Sequence, residues 1–280
     1  MEKRDQKIVK NFFPLPAFFL ICFFWVGSCS HVGQEVVIFS PAGKCPAYQE
    51  NDWKAQVGSI DSRTLTEELQ CRLIFLRSTA DPLFLEDHFP SRISFLLAER
   101  ETDPTIQERL AAEGVLWAER AISYGARGDG RVYYYWAVNQ GLVIRNHPTL
   151  ALKKIKLMAE RLEVANQKVP SEDWGGPGRV LGLVYLKAPP WPQDIGDCDK
   201  ALVLLKQTAE RFPQHPLNHL FFAQALWDVN ESESMEDIRR ELEETRELLK
   251  EERWGFARKV WAKELEEFEK KIPDSFSVSR

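Results

Sequence analysis

Residues Gly175-Gly176-Pro177-Gly178-Arg179 bring a small-residue backbone and a guanidinium to the expected start of a helix. Unpaired N–H groups and the helix dipole attract anions at such a place, and a guanidinium grips carboxylate or phosphate with a fork of donors. Arg179 is therefore a candidate ligand contact. The run lacks the Gly-Lys-Ser/Thr ending of a phosphate loop. Its competing use is a helix cap, with Asp173 or Ser171 as acceptor and Pro177 in the first turn. A second group is the aromatic run Val132-Tyr133-Tyr134-Tyr135-Trp136 with Asn139. Tyr133, Trp136 and Asn139 are the candidates for a pocket wall, although such a stripe also builds core. Trp191, in the Pro-rich stretch 188–197, suits a partner interface if exposed, or packs over a helix end.

Other chemistry is thinly represented. His215 and His219 are four apart with Pro216 between them, and no third metal ligand accompanies them, so a capping and a partly buried histidine are expected and no metal is assigned. There is no His-Glu-x2-His, no Gly-x-Ser-x-Gly and no paired-Cys motif. The carboxylates between Glu231 and Glu269 alternate with Arg239, Arg240, Arg246, Lys250 and Arg258, the pattern of solvated helix faces. No catalytic residue and no cofactor follows, and a binding protein is expected rather than an enzyme.

The elements that must position these residues are helices. Thr64-Leu65-Thr66-Glu67 reads as a capping box opening the first. Further helices are expected within 83–100, with an interruption near Pro90, and over 105–124, 132–145, 149–164, 174–187, 199–212, 217–229, 235–252 and 254–271. The short links between them imply antiparallel neighbours. Leu181-Gly182-x2-Tyr185, then Ala201, Leu205 and Pro213, follows the tetratricopeptide pattern with Leu in place of Phe. Phe222-Ala223 and Leu226 repeat its opening 41 residues later, about seven more than the usual period of about 34, and the stretch 188–197 accounts for the excess. The fold class is all-α, with tetratricopeptide-like stacked antiparallel helix pairs; a compact non-repeating helical bundle is the alternative.

At the N-terminus Lys3, Arg4, Lys7 and Lys10 precede an apolar run from Phe12 to Val26, then Gly27-Ser28-Cys29. That order is a secretory signal, and the run falls short of the roughly 20 apolar residues of a spanning helix, the competing reading. A cysteine directly after small residues is the diacylglycerol acceptor of a bacterial lipoprotein, which makes Cys29 the expected lipidation site. Acyl chains at about 0.8 kcal/mol per buried methylene then anchor the chain to a membrane. Ser30 favours the outer membrane, facing the periplasm. Loss of the signal would move the net charge from -5 to -7, since four cationic and two acidic side chains leave with it. An acidic chain without a basic face excludes nucleic acid as partner.

The organisation expected is a signal peptide over 1–28, a tether over 29–63, a helical repeat-like domain over 64–272 and a tail over 273–280, with a short strand near 36–39. A flexible tether of about 34 residues would span about 30 to 35 Å. Of the five cysteines, Cys45, Cys71 and Cys198 remain beyond Cys29. Either Cys45 and Cys71 pin the tether to the domain, or Cys71 and Cys198 are buried small hydrophobes and Cys45 is free.

The run from Trp174 to Gly182, Tyr185, the Pro-rich insertion, Ile195-Gly196-Asp197, Ala201 and Pro213 through His219, together with the upstream stretches Trp117–Ala121 and Tyr135–Asn139, resembles the T component of TRAP transporters. It covers roughly Gly114 to Trp227, less than half of the chain. The resemblance implies a lipid-anchored periplasmic scaffold that meets a solute-binding protein, can hold a small organic ligand, and serves solute uptake. It leaves a homo-oligomer open. The competing functions are an envelope-assembly adaptor without a ligand pocket, and a periplasmic hydrolase using acidic residues.

Overall fold

A computed structural model of the chain describes residues 36–41, 43–48, 60–78, 87–190, 195–230 and 234–272. The signal segment, Cys29, Trp191 and the tail lie outside these residues, all of which belong to one compact unit, Glu35–Arg280. Within it the fold is all-α and repeat-like, and among the described residues no helix is long and apolar enough to cross a membrane.

Among the described residues ten α-helices follow one another: α1 Thr66–Ser78, α2 Phe89–Arg100, α3 Pro104–Tyr124, α4 Gly130–Ile144, α5 Pro148–Lys168, α6 Gly176–Lys187, α7 Cys198–Arg211, α8 Pro216–Asn230, α9 Met235–Leu249 and α10 Ala257–Glu269. Their starts follow from local chemistry. Asp103, Asp129 and Asp197 each accept a hydrogen bond from a first-turn N–H of α3, α4 and α7, and proline occupies the first turn of α2, α3, α5 and α6. Pro90 thus begins α2, where an interruption was expected, because a first-turn proline lacks only an N–H that would have no helical partner. Thr64 does not cap α1: its Oγ1 accepts from Asp61 N at 3.0 Å, which folds residues 61–64 into a turn before the helix.

Consecutive helices pack against each other, and α2, α4, α6, α8 and α10 also touch in succession. The last of these touches the first, so five inner helices close into a ring, with α3, α5, α7 and α9 outside as the connecting partners. The tetratricopeptide signature is visible in α6 and α7: a Cβ at Gly182 would lie 2.5 Å from Leu205 Cγ, so any side chain there would have to displace Leu205. Tyr185 fills the adjacent space and its hydroxyl donates to Glu163 Oε1 at 2.5 Å. In the second unit Ala223 is fully buried and Leu226 nearly so. Most of the core runs along α4 to α10, and a second cluster under α1, α2 and the start of α3 contains Ile60, Leu69, Leu73 and Ile93.

The tether is partly attached to the body. Cys45 and Cys71 form a disulfide, Arg77 donates to the Val37 carbonyl at 2.8 Å, and its guanidinium lies 4.8 Å from the Phe39 ring centre. Residues 36–41 alternate between exposed and half-buried but form no strand. Cys198 is exposed, because it opens α7 directly after the Asp197 cap; the expectation of a buried small hydrophobe is corrected there. In the long α6–α7 link, Pro190 pairs with Gly196, and Asp197 N returns to the Tyr185 carbonyl at 3.0 Å.

Candidate functional site

The ring surrounds a cavity of about 1210 Å³. Its wall is laid down at helical spacing: Phe95, Leu96 and Glu99 from α2, Val138, Gly141 and Leu142 from α4, Val180, Leu183 and Val184 from α6, Leu217, Phe221 and Gln224 from α8, and Ala257, Val260, Trp261 and Glu264 from α10. Residues three, four and seven apart share one helix face, so each inner helix turns one stripe to the cavity and another to the outer helices. Exposed Arg145 and Trp174 also line it, where it meets solvent.

Charged groups collect at one part of this mostly apolar wall. Asp173 Oδ2 accepts from Tyr134 Oη at 2.5 Å and from Arg179 Nη2 at 2.6 Å. Arg179 Nη1 donates to Asn218 Oδ1 at 2.8 Å, and Asn218 Nδ2 donates to the Trp174 carbonyl at 2.9 Å. Tyr135 donates to Glu172 at 2.7 Å. Burial pushes the hydroxyls of Tyr134 and Tyr135 well above the usual tyrosine range, so both stay protonated donors.

The backbone bends sharply to make this network. Asp173 and Trp174 are left-handed at φ 48° and 53°, and Gly175 continues at φ 89°. Left-handed conformations cost of order 1–3 kcal/mol each for residues other than glycine, and they persist when neighbours over-determine them. Here the turn aims the Asp173 and Trp174 carbonyls at Arg179 and Asn218. The same turn ends a 3₁₀ segment over Glu172–Trp174 and delays α6 to Gly176.

Arg92 and Glu99 stand two turns apart on α2, both in the cavity wall. Arg92 Nη2 donates to the Ile60 carbonyl at 2.7 Å, and its guanidinium lies 5.8 Å from the Tyr135 ring centre. Burial pulls its pKa down, but Tyr135, Glu172 and Asp173 outweigh that and hold the guanidinium charged. Glu99 Oε1 accepts from Trp261 Nε1 at 3.1 Å, a link between α2 and α10. Glu99 is half-buried at the cavity wall, and desolvation there raises its carboxyl to about 7, against the weaker pull of that hydrogen bond.

Arg179 lines the cavity with its guanidinium engaged by Asp173 and Asn218, and Pro177 stands in the first turn of α6 as expected. No side chain caps α6, and Asp173 serves Arg179 and Tyr134. Trp136 and Asn139 are fully buried away from the cavity, and Tyr133 is half-buried on the outer side. Trp136 Nε1 donates to Glu119 on α3, and Asn139 Nδ2 to Ser91 and Tyr135. The aromatic run does reach the cavity, through Tyr134 and Tyr135. Arg92, Glu99 and Trp261 escaped the sequence reading. The available signal was two charged residues seven apart, Arg92 and Glu99, on the face that carries Phe95 and Leu96.

His215 accepts from Leu217 N at 3.2 Å in its capping role and lies between Trp254 and Trp261, its ring centre 4.9 and 4.8 Å from theirs. Burial, with Arg179 and Arg253 nearby, holds it well below the usual histidine range and therefore neutral. His219 meets Glu241 at 2.7 Å and the Pro213 carbonyl at 2.8 Å. Among the described residues no group of three or more His, Cys, Asp or Glu side chains could hold a metal ion.

No protein-family model matches the chain, and no curated protein matches it in sequence.

Proposed function

We propose that this chain is a lipid-anchored binding scaffold that holds a small, largely apolar organic ligand inside its helical ring and presents it to a periplasmic solute-binding protein during uptake. The observation that carries the ligand is the cavity of about 1210 Å³, walled by apolar side chains from all five inner helices with a few clustered polar groups. Small-molecule sites have this composition and a volume of about 300 to 1,000 Å³, so an elongated ligand or two smaller ones would fit. A flat polar inner face, which an assembly adaptor without a pocket would present, is not what lines the ring.

The anchor at Cys29 and the link to TRAP-type uptake are supported by the signal pattern and the family resemblance of the sequence. The ligand reading is tested with N-phenyl-1-naphthylamine, an uncharged fluorophore that brightens in apolar sites. Saturable binding near one or two molecules per chain is expected, and a linear, unsaturated response would sink it. Co-purification from detergent-solubilised envelope tests the partner; recovery of assembly factors without a solute-binding protein would overturn the uptake role. A palmitate analogue should label the wild-type chain and not Cys29→Ser.

A further inference from the structure

From Gly130 to Ala159 the sequence has no Asp or Glu, and it places Arg145, Lys153, Lys154 and Lys156 close together in an otherwise acidic chain. On other helices surface cations pair with carboxylates three or four residues away: Lys206 with Glu210 on α7, Arg240 with Asp237, Arg246 with Glu243 and Lys250 with Glu247 on α9, and Lys263 with Glu267 on α10. Such pairs support the helix that carries them. α5 has no equivalent at these positions. Lys153 and Lys154 have no Asp or Glu within four residues, and among the described residues neither they nor Arg145 and Lys156 meet a carboxylate at ion-pair distance. Lys153 and Lys156, three apart, repel one another. The first turn of α5 also lacks the acidic residue that the helix dipole favours. These cations do nothing for the stability of their own helix.

The same stretch adjoins the cavity. Ile155, between Lys154 and Lys156, and Met158 line it, as does exposed Arg145 where it meets solvent. Lys153 and Lys156 are exposed, and beside them Leu152 is 54 % exposed. Around Trp174 the cations are neutralised instead: Arg179 pairs with Asp173, and Arg253, 5.6 Å from the Trp174 ring centre, pairs with Glu251.

We propose that the first half of α5 docks on an anionic lipid surface, with Leu152 entering the headgroup layer and Arg145, Lys153, Lys154 and Lys156 beside the lipid phosphates. A helix face that sets cations around a protruding apolar side chain suits the membrane interface. Each Lys or Arg near an anionic leaflet favours the bound state by about fivefold, an attraction that salt screens. The rest of this acidic chain is repelled by such a surface, so the contact also orients the molecule. The adjoining cavity favours lipid over an acidic protein as the partner: its wall is mostly apolar, and a ligand suited to it partitions into a bilayer rather than into water. The contact is additional to the Cys29 anchor, and its use in ligand exchange rests on the cavity being the ligand site.

The experiment is acetylation of lysine amines in the full chain on vesicles, read residue by residue by mass spectrometry. On vesicles of phosphatidylglycerol and phosphatidylcholine at low salt, Lys153, Lys154 and Lys156 should react about fivefold or more slowly than on phosphatidylcholine alone. Lys206 and Lys263 should react alike on both. Salt at about 1 M, where the Debye length is about 3 Å, should abolish the difference. With Lys153→Glu and Lys156→Glu combined, Lys154 should be equally reactive on the two kinds of vesicle. Unchanged lysine reactivity on the anionic vesicles overturns the proposal and leaves these cations to an acidic protein, and equal slowing of every lysine overturns it as well. A chain that fails to bind N-phenyl-1-naphthylamine yet shows the local protection would lose the cavity reading and keep the lipid contact.

Discussion

Asp173 holds Arg179 in a 2.6 Å ion pair although the aspartate's own backbone is left-handed. Arg179 is almost wholly buried, whereas Asp173 sits at the cavity rim with its side chain 35 % exposed. Removing one partner of a buried pair costs about 3 to 5 kcal/mol, and the exposed rim reduces that here. Asp173→Ala should therefore lose about 2 to 3 kcal/mol of stability in urea unfolding. Asp173→Asn should lose less, since asparagine keeps an acceptor oxygen and tolerates the left-handed conformation. Equal losses in the two variants would contradict the role given to that oxygen.

The close approach of α6 and α7 at Gly182 gives a second expectation. An alanine methyl there would overlap Leu205, and overpacking of this kind costs typically about 1 to 3 kcal/mol. Gly182→Ala should unfold at lower temperature, and Leu205→Ala introduced beside it should restore part of the loss. Independent, additive losses would show that the two side chains do not compete for one space.

How far these contacts could be anticipated differs between helices and site. Gly182, Tyr185, Ala201 and Leu205 lie within one helix hairpin, so their spacing alone specifies which faces meet. Asp103, Asp129 and Asp197 mark helix starts for the same local reason. The aromatic run 132–136 is different. α4 turns one side to α3 and α5 and the other to the cavity, so apolar residues occupy its whole circumference and no polar stripe reveals its phase. Tyr134 and Tyr135, not Tyr133 and Trp136, proved to face inward. The Glu99–Trp261 contact spans 162 residues, a separation that no periodicity encodes.

Stability should fall as pH rises, in two windows. Glu99 has a raised pKa in the fold, so its contribution is complete below about 4.5 and is lost by about 7. That span corresponds to about 3 kcal/mol. His219 is also raised: burial opposes this, but the Glu241 carboxylate and the Pro213 carbonyl outweigh it. Its contribution is complete below 6.5 and is lost as pH passes the higher folded value. Urea midpoints between pH 4 and 8.5 should be level up to about 4.5 and decline above it in wild type. Glu99→Gln should be flat at the acid end and still decline above 6.5. A decline confined to neither window would refute both assignments.

The Cys45–Cys71 bridge closes a loop with a sequence separation of 26 residues. Chain entropy assigns such a loop roughly 3 to 4 kcal/mol. Cys45→Ser should lower the unfolding midpoint and expose the segment around Val37 and Phe39 to proteolysis. Among the described residues, alkylation without reductant should reach Cys198 alone, because Cys45 and Cys71 are joined. Labelling of all three before reduction would rule the bridge out.

Filling the cavity should separate ligand binding from folding. Leu183 lines the wall from α6 and is only partly buried. Leu183→Trp should lower N-phenyl-1-naphthylamine affinity by about tenfold or more, roughly 1.4 kcal/mol, while circular dichroism stays unchanged. Unaltered affinity would place the probe elsewhere.

Because α10 returns to α2, the number of inner helices is fixed by geometry in a way that an open stack of repeats is not. An open solenoid gains or loses a hairpin at little cost beyond one interface. In this chain a duplicated hairpin would push α10 past its partner, leave Trp261 without Glu99, and turn the apolar stripes toward water. Variation is thereby confined to side chains on a fixed frame, and to connectors such as the α6–α7 link that lengthen without altering the count.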